Sequence, residues 1–254
     1  MKRRGMAWCV AFAGLFVAIG TVLSAQRGSP PIDIMGVEPL EMGEVVSGAA
    51  FSAEAVTEMT QELRDGNRIE QRWSTTFARD NVGRVRREQA LPPLGGVILD
   101  PEVRMITISD PRQRTVYLID AARRTVSRSV VPARPPRGFG DGPGARSSLP
   151  PPQISSEPLG NRQILGLRAE GTRQIMTIPA GVFGNTGPIQ IETERWYSQE
   201  LKIVLESKRA DPRLGDVVYK VTHLVRGEPD AALFVVPSDY TVIDRPRPPG
   251  PPRP

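Results

Sequence analysis

The chain has almost none of the residues on which most side-chain chemistry relies. Cysteine occurs once, at Cys9, and histidine once, at His223, in 254 residues. Cys9 lies in an apolar stretch at the N-terminus, and removal of that stretch leaves no thiol for a disulfide, a thiolate metal ligand or a cysteine nucleophile. Bulky Trp8 directly before Cys9 is also wrong for lipidation of that cysteine. A zinc site would have to combine His223 with carboxylates alone, so no metal and no cofactor is expected. Aromatic residues make up only 6% of the chain, and helical periodicity is nearly absent. A strongly one-signed charge is missing too. The pI near 9.8 reflects Lys2, Arg3 and Arg4, and the remaining 30 basic residues face 28 acids. Several of those cations sit in linker and tail, at Arg134, Arg137, Arg146, Arg245, Arg247 and Arg253. No clustered basic face is expected, and nucleic acid is excluded as a partner.

What is present begins with an export signal. Lys2, Arg3 and Arg4 precede uncharged Gly5 to Ala25, giving the charged start and apolar middle of a secretory segment. Gly14 and Gly20 weaken it as a spanning helix, which favours cleavage after Ala25. Retained, residues 5–25 are long enough to anchor the chain in the inner membrane, its sole expected membrane contact. Residues 26–50 have the Pro and Gly content of a flexible spacer.

From Phe51 the pattern changes to period two. Phe51, Ala53, Ala55, Met59 and Leu63 alternate with Ser52, Glu54, Glu58 and Glu62, as in a half-buried strand. Asp65-Gly66-Asn67 reads as a tight turn, and Ile69, Trp73 and Phe77 share the next apolar face. Asp80-Asn81-Val82-Gly83 turns the chain into Arg84 to Leu91. Val103–Ser109, Thr115–Asp120 and Arg124–Val131 complete a first meander.

Residues 132–158 hold 8 prolines and 4 glycines, a composition that predicts a disordered insertion with neither ladder nor helix. Gln163–Ala169 and Thr172–Ile178 then flank Glu170-Gly171 as a hairpin. Ile189–Tyr197, Leu201–Lys208 and Val217–Arg226 come next, then a helical turn at Asp230–Phe234, a short strand at Tyr240–Ile243 and a Pro-rich tail over 245–254. The expected fold is mainly β: a curved antiparallel sheet or partial barrel of about eleven strands, with one domain over 51–244 interrupted by the insertion.

Five segments carry a resemblance: Phe51-Ser52-Ala53-Glu54-Ala55-Val56-Thr57-Glu58, Asp65-Gly66-Asn67-Arg68-Ile69, Gly83-Arg84-Val85-Arg86-Arg87-Glu88, Glu194-Arg195-Trp196-Tyr197-Ser198 and Glu228-Pro229-Asp230-Ala231-Ala232-Leu233-Phe234. Together they resemble uncharacterised secreted or envelope proteins seen especially in Acidobacteria, over Phe51 to Ile243. More loosely, the long meander is similar to the periplasmic lipoprotein-carrier (LolA/LolB-like) fold. That resemblance implies a sheet whose concave face holds acyl chains; few of the helices that plug that face are visible in this chain.

Candidate site residues emerge from the strand reading. Trp73, Phe77, Trp196 and Tyr197 could line an apolar groove for a lipid or acyl chain, or could equally form core. Glu192 and Glu194 share a strand face within reach of Glu206, the arrangement of a paired-carboxylate hydrolase, but also of a solvated charge ladder with Lys202 and Lys208. His223 is expected on the face of Val217, Tyr219 and Val221 as a partly buried strand residue. Gly181, Gly184 and Gly187 fit no phosphate loop and read as turn glycines. No nucleophile motif is visible, so no catalytic residue is assigned. The expected function is a non-enzymatic envelope protein binding an apolar ligand, with a protein-interaction or sensor module as the alternative and an envelope protein as its partner.

Overall fold

The computed structural model describes residues 45–90, 104–131 and 151–244. The export segment, residues 132–150 of the expected insertion and the Pro-rich tail lie outside them. The described chain forms one open, curled sheet of twelve strands in the order β12-β6-β5-β4-β3-β2-β1-β11-β10-β9-β8-β7. The strands are β1 (Phe51–Glu62), β2 (Arg68–Arg79), β3 (Val85–Ala90), β4 (Arg104–Asp110), β5 (Thr115–Asp120), β6 (Thr125–Val130), β7 (Gln153–Ile164), β8 (Leu167–Ile178), β9 (Ile189–Ser198), β10 (Ile203–Asp211), β11 (Gly215–Arg226) and β12 (Thr241–Asp244). Two meanders are joined by the long β1–β11 pairing, and every pair is antiparallel except β12 on β6. This is the mainly β, curved antiparallel architecture that period two predicts.

Turn chemistry sets the registers. Asp65 Oδ1 accepts from the Asn67 N–H, and Gly66 takes the positive φ that closes β1 on β2. The two turns after β2 and β10 are built alike, around a buried aspartate. Asp80 Oδ1 accepts the N–H groups of Val82 and Arg84, while its Oδ2 accepts from Arg84 Nε at 2.6 Å. Asp211 accepts from the Arg213 N–H and from the guanidinium groups of Arg213 and Arg209. Burial pushes the Asp211 carboxyl up, but these hydrogen bonds outweigh it and hold the group below the ordinary aspartate range.

The second meander differs from expectation in two places. The hairpin turn is Leu165-Gly166, with both residues at positive φ, and Glu170-Gly171 lies inside β8. Leucine is a poor residue for that conformation, so the local signal pointed to the wrong pair. Residues 153–158, expected to be too proline-rich for a ladder, are the first half of β7 and pair from Gln153↔Thr177 to Pro158↔Thr172. Proline is tolerated because β7 is the edge of the sheet, and the ladder shifts register directly after it, between Pro158 and Gly160.

The core has two parts. Phe51, Ala53, Ala55, Phe77, Tyr219 and Val221 share one sheet face and cluster with Ile164, Leu167, Leu201 and Leu205. Full burial of each Phe, Leu, Ile or Val side chain among them contributes about 1.5–3 kcal/mol. Ile108, Ile119 and Val126 form a second cluster on the opposite face, because Ile108 pairs with Arg86, Arg86 with Ala78 and Ala78 with Ser52. There the chain after β11 returns through a 3-10 turn, Ala231–Phe234, capped by Asp230, and lays Val236 and Tyr240 over the cluster before β12 joins the edge.

Candidate functional site

Alternation across the register places a row of side chains on the Phe51 face: Val221, Ala55, Thr75, Gln89 and Met105, one from each of β11, β1, β2, β3 and β4. The neighbouring row holds Tyr219, Thr57 and Trp73. Gln89 is fully buried, and Trp73 and Phe77 are only 5% and 7% exposed. Phe77 meets Phe51 edge to face at 5.6 Å. The two rows also contain polar atoms that the fold does not pair. Trp73 Nε1 and both the Nε2 and Oε1 atoms of Gln89 are buried with no hydrogen-bond partner among the described residues. Such atoms are rare in native proteins, because each costs about 1–3 kcal/mol when left unmade.

Of the four aromatic candidates, Trp73 and Phe77 therefore stand together on one face, buried. Trp196 and Tyr197 are successive in β9 and turn to opposite faces, although both pack against the larger cluster. Trp196 lies under the Arg162 guanidinium, 3.9 Å from its ring centre. It also covers Gly171, where a Cβ would come within 2.7 Å of the indole, so the glycine makes room for that ring. Arg79 shows how tightly the Phe51 face is tied. Its guanidinium lies 4.9 Å from the Phe51 ring centre and donates to the carbonyls of Ala49 and Leu201. Burial draws its pKa down from the usual arginine value.

The carboxylates read as either a hydrolase pair or a charge ladder are engaged by arginines. Arg173 reaches Glu192 at 2.8 Å, Glu194 at 2.6 Å and Glu157 at 2.8 Å, and Arg162 pairs with Glu206. The hydrogen bond to Glu194, followed by that to Glu157, raises the Arg173 pKa. This is the charge ladder, with arginine where Lys202 and Lys208 were expected. Glu192, Glu194 and Glu206 are thus each held in an ion pair with arginine.

His223 is exposed, where partial burial was expected. A β-bulge explains the difference: Ala55 pairs with Val221 but Glu54 pairs with His223, so the histidine leaves the Tyr219 and Val221 face for that of Glu54. With Ser52, Thr76, Val225 and Leu233 it lines a pocket of about 270 Å³ under the 3-10 turn. A larger, polar recess of about 660 Å³ lies at the far strand ends, bordered by Gln61, Arg68, Ile175, Glu192, Asp211 and Asp216. Gly215 borders it as well, and a Cβ there would fall 2.2 Å from the Thr60 carbonyl oxygen. Among the described residues no three His, Cys, Asp or Glu side chains gather as a metal site, and no helix is long and apolar enough to cross a membrane.

The sequence could place Trp73 and Phe77 on a common face from their spacing. It held no signal for Gln89, whose burial depends on the pairing of β3 between β2 and β4, with Gln89 opposite both Thr75 and Met105.

No family model matches the chain, and no curated protein matches it. Among solved structures it is similar to an uncharacterised conserved protein from Thermus thermophilus, at 12% identity and a TM-score of 0.39 over 78% of this chain and 91% of that one. It is similar to the Pseudomonas aeruginosa MucA/MucB complex structure at 14% identity and a TM-score of 0.39; the match covers 77% of this chain but only 58% of that one. A LolA superfamily protein from Nitrosomonas europaea is similar at 9% identity and a TM-score of 0.32 over 77% of this chain and 93% of that one. At such values function must be argued from the site.

Proposed function

We propose that this chain is a non-enzymatic protein of the cell envelope, exported on residues 1–25, that holds an apolar ligand, a lipid or acyl chain, against the Trp73 and Phe77 face of its sheet. One observation carries the reading: the indole N–H of Trp73 and the amide of Gln89 are buried beside an apolar cluster without partners among the described residues. A scaffold complete in itself would carry apolar side chains at those positions at no such cost. A face that receives a ligand offsets the cost when the ligand arrives. The occupied carboxylates and the lone, exposed His223 favour binding over catalysis. Native mass spectrometry of the exported chain is expected to show bound acyl species, displaceable by a fluorescent fatty acid. A chain that carries no lipid and binds no fluorescent fatty acid overturns the reading.

A second reading, a protein-interaction or sensor module, is favoured by a different observation. Val225 and Leu233, 53% and 37% exposed, border the pocket that His223 lines. Cross-linked pull-downs from native envelopes would recover one specific partner, and Leu233→Asp would release it. Recovery of nothing above background removes this reading.

A further inference from the structure

The pocket beneath the 3-10 turn is held open by specific contacts, and the partner group that its lining selects rests on the interaction reading above. The chain after β11 is tied over the sheet at three points. The Asn81 N–H donates to Glu228 Oε2 at 2.9 Å, the Arg84 guanidinium lies 5.1 Å from the Phe234 ring centre, and Arg86 Nη1 donates to the Leu233 carbonyl at 3.4 Å. The recess of about 270 Å³ between turn and sheet is therefore formed before any partner arrives, which lowers the ordering cost of docking.

Strand register sorts the lining into two rows on the face opposite Phe51. Arg86, Ala78, Ser52 and Val225 stand side by side in one, and Glu88, Thr76, Glu54 and His223 in the other. Ala78 and Val225, with Leu233 from the turn, make an apolar wall. The second row brings the charge. Glu88 is already matched, by Arg86 at 3.2 Å and Arg104 at 3.4 Å. Glu54 is not: among the described residues its carboxylate forms no ion pair, and the side chains beside it across the strands are Thr76 and His223. Water solvates this exposed carboxylate in the free chain. A bare ion would gain only that one contact, whereas a cation on a hydrocarbon stem also covers the apolar wall.

We infer that the pocket receives a basic side chain, lysine or arginine, that a partner protein presents next to an apolar residue. The stem lies along Ala78, Val225 and Leu233, and the cationic end donates to the Glu54 carboxylate. The neighbouring apolar residue covers what Val225 and Leu233 leave exposed.

His223 is the sole histidine of the chain, so its imidazole proton resonances report on this pocket alone. The test titrates the exported chain with capped Ala-Val-Xaa-Val-Ala peptides that carry lysine, norleucine or glutamate at the centre. The lysine peptide is expected to shift the His223 resonances and to bind about three to five times more tightly than the norleucine peptide, with an advantage that falls as salt is raised. Glu54→Gln keeps the shape, removes the charge and should bring the two peptides level at an unchanged melting temperature. Equal binding of the lysine and norleucine peptides to the parent chain overturns the basic side chain, as does tightest binding of the glutamate peptide. No shift of His223 by any peptide up to about 10 mM overturns the pocket as a docking site. In the cross-linked pull-down, a partner released by Leu233→Asp but retained by Glu54→Gln overturns the basic side chain and leaves the interaction reading standing, whereas recovery of nothing overturns both.

Discussion

The two ends of this sheet bury opposite faces. Around β1, β2 and β11 the core lies on the Phe51 face, with Phe51, Phe77, Tyr219 and Val221 in one cluster. Across β4, β5 and β6 it lies on the other face, where Ile108, Ile119 and Val126 are sealed by Val236 and Tyr240 of the C-terminal return. Pairing runs without a shift across β4, β5 and β6 and is interrupted by one bulge between β1 and β11. The two differ in what packs on them: Leu201, from the turn between β9 and β10, joins the first cluster, and the C-terminal return lies on the second. Of the residues with unpaired polar atoms, Trp73 lies on β2 within the first group of strands, and Gln89 lies on β3, the strand between the two groups, where the buried side changes.

The contrast between the two clusters can be broken from either end, and the effects should differ in size. Phe51→Ala removes the centre of the larger cluster and is expected to cost about 3–5 kcal/mol in urea unfolding, close to the whole stability of many domains. An effect under about 1 kcal/mol would show that this face is not the main core. Arg79→Met keeps much of the packing but leaves the carbonyls of Ala49 and Leu201 without their cation. It should cost about 1.5–3 kcal/mol, with the loss seen in β1, β2 and the β9–β10 turn by hydrogen exchange. Tyr240→Ala should cost less and act elsewhere. Half-buried, it covers only the smaller cluster, so faster exchange is expected in β4, β5 and β6 with β1 and β11 unchanged. Uniform acceleration would mean that the two clusters melt as one.

The smallest effect sharpens the contrast through pH. The Asp211 carboxyl is depressed in the folded state, so its stabilising contribution is present above the ordinary aspartate value of 3.8 and is lost as pH falls through the lower, folded value. Asp211→Asn should therefore be less stable than the parent at neutral pH and should converge with it in acid. A constant difference between the two over the whole pH range would contradict the assignment.

Much of the fold was legible because strand period two and Gly/Asn/Asp turns are local signals. β1, β2, β5 and β9 to β11 lie within a few residues of where alternation puts them. What was not legible depends on partners distant in sequence. Leu165-Gly166 carries no standard turn signature, and Pro158 is acceptable only because β7 ends the sheet. His223 could not be placed while the bulge opposite Glu54 was unknown, since one extra residue reverses the face. For the site, the spacing of Trp73 and Phe77 was informative, while Gln89 read as one more polar residue in an Arg-rich strand. Its meaning appears only when Thr75 and Met105 flank it.

The most direct test of the central claim, that the Trp73 face is completed by a ligand, is hydrogen exchange with and without saturating monoolein. Binding at that face predicts slowed exchange in β2 and β3, over residues 68–79 and 85–90, with β5 and β6 unaffected. Protection confined to β5, β6 and the 231–240 strap, or none anywhere in the sheet, would contradict it.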